Sequence, residues 1–194
     1  ASAFLLIIQE LHSQSSAPAN QDKRPNIVVI LADDMGWGDL ASNGNPFVKT
    51  PALTRLAGQS LSFERFYVCP LSAPTRAEML TGRYFLRTGV SSVTSGYENM
   101  RTDELTLAEV LKDNGYKTGC FGKWHNGGYY LQHPNRQGFD EFTGFCVGHL
   151  GYYFDAWYLQ NDDLVKSEGY SSDFFTDQAL DFIERNKNNP FLCY

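Results

Sequence analysis

Apolar positions along the chain follow two alternating periods. From Asn26, "NIVVILA" is a near-continuous β-branched run, the pattern of a strand covered on both faces as in a parallel sheet. "TPALTRLAGQ" (50–59) predicts a helix with Thr50 as N-cap and Pro51 at its first position. "LSFERFYV" (61–68) alternates and predicts a strand. "TLAEVLKDN" (106–114) predicts a helix stopped by Gly115, followed by a short strand "KTGCFG" (117–122). "SSDFFTDQALDFIERNKNN" (171–189) predicts an amphipathic helix with Phe175, Ala179, Phe182 and Ile183 on its apolar face. Pro190 closes it, and "FLCY" opens another strand. Strand and helix alternate, so the predicted class is α/β with a mainly parallel sheet.

The two ends read differently. Residues 3–8, "AFLLII", are apolar but too few to span a bilayer, and the polar stretch after them, "QELHSQSSAPANQDKRPN", has no periodicity. Residues 1–22 are therefore expected to be the tail of an export signal and a linker, with a frayed N-terminal helix as the alternative. No other segment predicts a membrane span. At the other end the chain stops inside a buried strand pattern with no polar terminus, so it reads as cut off, and residues 23–194 read as part of a larger domain.

Composition narrows the class. The 194 residues are 42% hydrophobic and 20% charged, as in an ordinary globular domain. Sixteen Lys and Arg against twenty-two acids give a charge of −6 with no basic run, which argues against nucleic acid as a partner. Cys69, Cys120, Cys146 and Cys193 are widely spaced with no CxxC pair, so they predict small buried thiols rather than a zinc site or disulfide framework.

Three segments carry candidate chemistry. In "ADDMGWGD", Asp33 and Asp34 follow the first strong strand, at the end where parallel sheets place ligands. Two such hard oxygen donors suit Ca²⁺ or Mg²⁺ if the chain bends there, as Gly36 and Gly38 permit. Taken alone, the pair serves equally as turn or cap residues. In "CPLSAPTRAEMLTGR" (69–83), Pro74 suits the first turn of a helix, which puts Ser72 or Ala73 at the N-cap. Free backbone N–H groups there make an anion site. Arg76 lies four residues past Ser72 and can reach back to the same side. Cys69 falls outside the helix, so geometry favours Ser72, while leaving open whether Ser72 is a site residue or a structural cap. In "GKWHNGG" (122–128), an extended backbone puts Lys123 and His125 on one side and Trp124 on the other. A Lys and a His so placed can stabilise charge on an anionic substrate and move a proton.

In this order the three segments resemble the type I sulfatase family, whose fold is similar to alkaline phosphatase. The family signature, Cys or Ser, any residue, Pro, any residue, Arg, is matched by Ser72-Ala73-Pro74-Thr75-Arg76 and its "AEMLTGR" continuation, whereas Cys69 has Leu71 where Pro is needed. "RPNIVVILADDMGWGDL", "TPALTRLA", "GKWH" and "GFDEFTGF" (138–145) extend the likeness from Arg24 to the end. The resemblance implies an α/β fold with helices on both faces of the sheet and a serine-type sulfatase in which Ser72 is converted to formylglycine. The hydrated aldehyde attacks sulfur with one hydroxyl and releases sulfate through the other, which an unmodified serine lacks. It further implies that Asp33, Asp34 and residue 72 bind a divalent cation, usually Ca²⁺ with Mg²⁺ the alternative. Arg76 would orient the diol, Lys123 contact the sulfate, and His125 assist from beside the diol. A transient partner is implied as well, an anaerobic radical S-adenosylmethionine maturase, and hence a bacterial protein; with the signal-like N-terminus the expected location is the periplasm or beyond. The substrate class implied is a sulfated glycan or monosaccharide sulfate, with a galactose or N-acetylgalactosamine type as the first choice. A phosphoester or phosphonate hydrolase of the same superfamily and a non-catalytic glycan binder are the alternatives. The family draws further metal and sulfate ligands from sequence beyond the strand that here reads "PFLCY", so the chain as it stands is expected not to be a competent catalyst.

Overall fold

The computed structural model describes residues 24–194 and the backbone of Phe4–Ile7. One sheet contains β1 (Phe4–Ile7), β2 (Ile27–Leu31), β3 (Lys117–Lys123), β4 (Glu141–Phe145), β5 (Trp157–Gln160), β6 (Asp163–Lys166) and β7 (Phe191–Cys193). Their spatial order is β1-β2-β7-β3-β4-β5-β6. The central four, β2, β7, β3 and β4, run parallel, with Ile27 opposite Leu192, Thr118 opposite Leu192 and Gly119 opposite Glu141. β1 pairs antiparallel with β2, and β5 and β6 continue antiparallel beyond β4. The expected N-terminal signal remnant and linker lie outside the described residues except at Phe4–Ile7, where the backbone is a strand and not the alternative frayed helix.

The helices are α1 (Pro51–Ala57), α2 (Ser72–Thr81), α3 (Leu107–Asp113) and α4 (Ser171–Asn186). Alternate residues of a strand face opposite ways, and here they separate two apolar layers. Val29, Cys120 and Leu192 pack with Ala73, Ala77 and Leu80 of α2 and Ala108 of α3. Their strand neighbours Val28, Phe121, Phe191 and Cys193 pack instead with Ala179, Phe182 and Ile183 of α4. Helices therefore cover both faces, as the resemblance implied. α3 starts with a full capping box: the Thr106 hydroxyl accepts from Glu109 N, and the Glu109 carboxylate accepts from Thr106 N.

Three local expectations need correction. Residues 61–68 form no strand; Phe63, Phe66 and Tyr67 are exposed, and Phe66, Tyr67 and Val68 line a cavity of about 310 Å³ against Val29, Leu192 and Tyr194. An alternating pattern becomes a strand only where a sheet edge receives it, and this segment pairs with no strand of the described sheet. The "NIVVILA" strand is not covered on both faces throughout: Val29 is buried but Ile30 is 52% exposed. α4 packs on β3, β7 and β4, so the end of β2 lies past its cover. Thr50 stands at the cap position of α1 without capping it; its hydroxyl accepts instead from Ala41 N.

β3 and β4 approach unusually closely. Gly144 lies opposite Gly122, and a Cβ on Gly144 would overlap the Gly122 carbonyl oxygen, a backbone atom that cannot rotate away. Gly144→Ala is expected to destabilise the fold by more than about 3 kcal/mol, seen as loss of a cooperative thermal transition or a fall in its midpoint. An unchanged melting curve would show that the strands separate without cost.

Candidate active site

Each site residue is delivered by an element the sheet holds in place. β2 ends at Leu31, and Asp33 follows at the carboxyl edge of the parallel strands. Asp34 next to it has φ 56, so the bend comes from Asp34 itself rather than from Gly36, whose φ is −79. Asp residues tolerate this left-handed region better than most. Asp33 joins the cluster directly, its carboxylate accepting from Lys123 Nζ at 2.8 Å and meeting Arg76 Nη2 at 3.4 Å. Asp34 stays exposed beside it.

α2 begins one or two residues earlier than the sequence indicated. Leu71 is the N-cap, with no side-chain cap, and Ser72 is the first helical residue. Arg76, one turn on, donates from Nη1 to Ser72 Oγ at 2.7 Å and to the Ser72 carbonyl at 3.3 Å. Its side chain is 3% exposed and its Nε is buried without a partner. Cys69 contributes only its carbonyl, which accepts from the Thr75 hydroxyl. The other three cysteines are buried, and burial pushes Cys146 and Cys193 up to about 12, so they are inert thiols.

β3 supplies the rest. Lys123 is its last residue, Trp124 is fully buried, and His125 follows with φ 58. Lys123 and His125 therefore do face the same cluster, with Trp124 turned into the core. His125 Nδ1 lies 3.1 Å from Ser72 Oγ, and Nε2 lies 2.9 Å from the Val93 carbonyl. A carbonyl only accepts, so Nε2 carries the proton, and in the neutral ring Nδ1 is the acceptor facing the Ser72 hydroxyl. Burial holds the imidazole below its usual range, reinforced by the charges of Lys123 and Arg76 and opposed by the Val93 carbonyl and Glu98. Half-burial pushes the Asp33 carboxyl up, but the Lys123 hydrogen bond and the Arg76 charge outweigh it and hold it below 3.8.

Three participants were not legible beforehand: the Val93 carbonyl, the Asn126 amide, which donates to the Ala73 carbonyl at 3.0 Å, and Gly148, which lies against the His125 ring. A backbone acceptor and long-range contacts leave no local sequence signal. The donor set Asp33, Asp34 and Ser72 fits a divalent cation in kind, being hard oxygen, but not in number, since Ca²⁺ takes about six to eight oxygens. Among the described residues no group of three or more His, Cys, Asp or Glu gathers as a metal site.

The fold and this cluster define an α/β protein of the alkaline-phosphatase-like class, with a hydroxyl, an imidazole and two cations gathered at a helix start. The family model described as Sulfatase matches residues 25–194. The chain is 34% identical over 206 residues to the N-acetylgalactosamine-6-sulfatase of Mus musculus, covering 91% of this chain and 40% of the relative. It is 40% identical over 174 residues to arylsulfatase G of Mus musculus, covering 83% and 33%. Among solved structures, Ps i-CgsB in complex with k-i-k-neocarrahexaose superposes with TM-score 0.81 at 33% identity, over 89% of this chain and 44% of that one. BT4656 in complex with its substrate D-glucosamine-2-N,6-O-disulfate gives 0.78 at 32%, over 88% and 33%. The chain belongs to the sulfatase family, and it spans about two fifths or less of the length of these curated relatives.

The lowered proton affinity of His125 has a checkable sign. Its NMR titration midpoint is expected below 6.5. The unfolded imidazole then binds a proton more readily than the folded one. Stability from this group is full above pH 6.5 and is lost as pH falls through the lowered folded value. His125→Gln should flatten that part of the stability-versus-pH curve, and a midpoint above 6.5 would contradict the burial argument.

Proposed function

We propose that the protein hydrolyses sulfate esters on a sulfated carbohydrate, with the oxygen borne by residue 72 as nucleophile. The observation that carries this reading is Ser72 Oγ at 2.7 Å from Arg76 Nη1 and 3.1 Å from His125 Nδ1, on the first turn of a helix. Arg76, buried and tied to Asp33, fixes that oxygen in position. Neutral His125 presents an unprotonated Nδ1 to it and accepts a proton there. Lys123, 12% exposed, exchanges Asp33 for a sulfate oxygen and stabilises the charge that develops on it. The free N–H groups of the first turn of α2 add donors for the same anion.

A plain serine would be left as a sulfate ester after one attack. In this reading Ser72 is matured to formylglycine, whose hydrated aldehyde supplies both the attacking oxygen and a second hydroxyl for release. The maturing partner proposed is an anaerobic radical S-adenosylmethionine enzyme, and the compartment is the periplasm or outside. Asp33 and Asp34 are the carboxylates this chain offers to a divalent cation, with Ca²⁺ preferred for hard oxygens. The remaining ligands are assigned to the part of the family's length that this chain does not cover. On that ground the 194 residues alone are expected to show no turnover. The names of the N-acetylgalactosamine-6-sulfatase relatives and the disulfated sugar bound to BT4656 support a sulfated galactose- or hexosamine-type substrate.

The test is the mass of the tryptic peptide "FYVCPLSAPTR" (66–76) from protein purified from its own host. A peptide lighter by two hydrogens at Ser72, with release of sulfate that Ser72→Ala abolishes, is the expected result. Unmodified serine in every copy would overturn the turnover mechanism and favour glycan binding. Phosphate esters cleaved faster than sulfate esters would move the activity to phosphoester hydrolysis.

A further inference from the structure

The segments that follow β3 and β4 continue side by side past the sheet. Trp124 N donates to the Phe145 carbonyl at 2.9 Å, and Cys146 Cβ lies where a Cβ on Gly128 would touch it at 3.5 Å. At the next step Gly148 meets His125: a Cβ on Gly148 would stand 2.7 Å from both Cε1 and Nε2 of the imidazole. The backbone of Gly148 lies outside the left-handed region, so its conformation is open to any residue. What requires glycine there is the ring.

The ring cannot yield freely. Its Nε2 is bound to the Val93 carbonyl at 2.9 Å and its Nδ1 to Ser72 Oγ at 3.1 Å. Its backbone is held on both sides as well. Trp124 is tied to β4, and Asn126, fully buried, is tied by its amide to the Ala73 carbonyl and by its own carbonyl to Met100 N. Between these anchors His125 takes φ 58, which directs the imidazole at Ser72. A methyl on residue 148 would therefore displace one of the two ring hydrogen bonds or the loop that carries it.

We infer that Gly148 is a positioning residue for the sulfatase reaction, keeping the space that lets His125 face residue 72 with Nδ1 unprotonated. The inference rests on the proposed function of the same site. Its test compares Gly148→Ala, His125→Ala and the pair in the matured protein purified from its own host, with 4-methylumbelliferyl sulfate as probe. Gly148→Ala is expected to lower kcat about 100-fold, the scale of an ångström-sized misplacement, with KM little changed. It should cost nothing further in the His125→Ala background. In ¹⁵N spectra at fixed pH the single Nε2–H tautomer of His125 should give way to a mixture. If Gly148→Ala does not fold, the pair must fold, because the methyl then occupies the space of the ring.

Unchanged kcat and tautomer would mean that the loop moves instead, and would overturn the inference. So would an equal loss of kcat in both backgrounds, or a pair that fails to fold. If the protein purified from its own host cleaves no sulfate ester, the functional reading fails by itself, and the tautomer comparison still decides the role of Gly148.

Discussion

The pairing of β3 with β4 is the constraint on which the site depends. Gly144 faces Gly122 with no room for a side chain on Gly144, and Gly122 itself has φ 106. Because the pairing is parallel, both strands end at the same edge. β7 relays that direction to β2, so Asp33 arrives at the edge where Lys123 and His125 leave β3. α2 reaches the edge by a different route, through Ala73, Ala77 and Leu80 packed on Val29, Cys120 and Leu192. Small residues let that helix sit close to the sheet, which is how an Arg one turn inside it comes within bonding distance of a strand-end carboxylate.

The charges in the cluster do not balance. Arg76 and Lys123, 3% and 12% exposed, share one directly bonded carboxylate, Asp33. A desolvated guanidinium needs partners, and Arg76 uses Asp33, the Ser72 carbonyl and Ser72 Oγ, leaving Nε unsatisfied. Positive charge and open donors therefore exceed what the protein returns. That imbalance favours an incoming oxyanion, and it adds to the burial that pushes the neighbouring imidazole toward its neutral form. A protonated His125 would be a third cation with no carboxylate of its own in hydrogen-bond contact.

Much of this was readable from residue order because local rules produced it. The helix before Gly115, the apolar stripe Phe175–Ala179–Phe182–Ile183 and the alternation of Lys123, Trp124 and His125 all follow from period and stop signals, and the structure has them. The Ser72–Arg76 contact follows from one turn of helix. What escaped depends on distant partners. Residues 61–68 alternate like a strand and find no sheet edge, and the bend after β2 falls on Asp34 although glycines stand nearby. The aromatic residues of 127–134 and 148–159 divide between core and surface. Tyr158 is 2% exposed and packs on Phe174 and Phe175, whereas Tyr129, Tyr152, Tyr153 and Trp157 face solvent.

The way α2 starts leaves its first side chain free of capping duty. An N-cap Ser normally spends its hydroxyl accepting from the N–H two or three residues on. Here the cap is Leu71, which has no side-chain oxygen to offer, and its carbonyl accepts the first helical bond from Thr75 N. Pro74 carries no N–H, so one of the donors that would draw on a capping hydroxyl does not exist. Ser72 is thus helical by backbone and unclaimed by capping, and its Oγ is shared between Arg76 as donor and His125 as acceptor. The proline that looks like a helix-start signal also releases the hydroxyl two residues before it, and this ties the motif's Ser-x-Pro-x-Arg spacing to its chemistry.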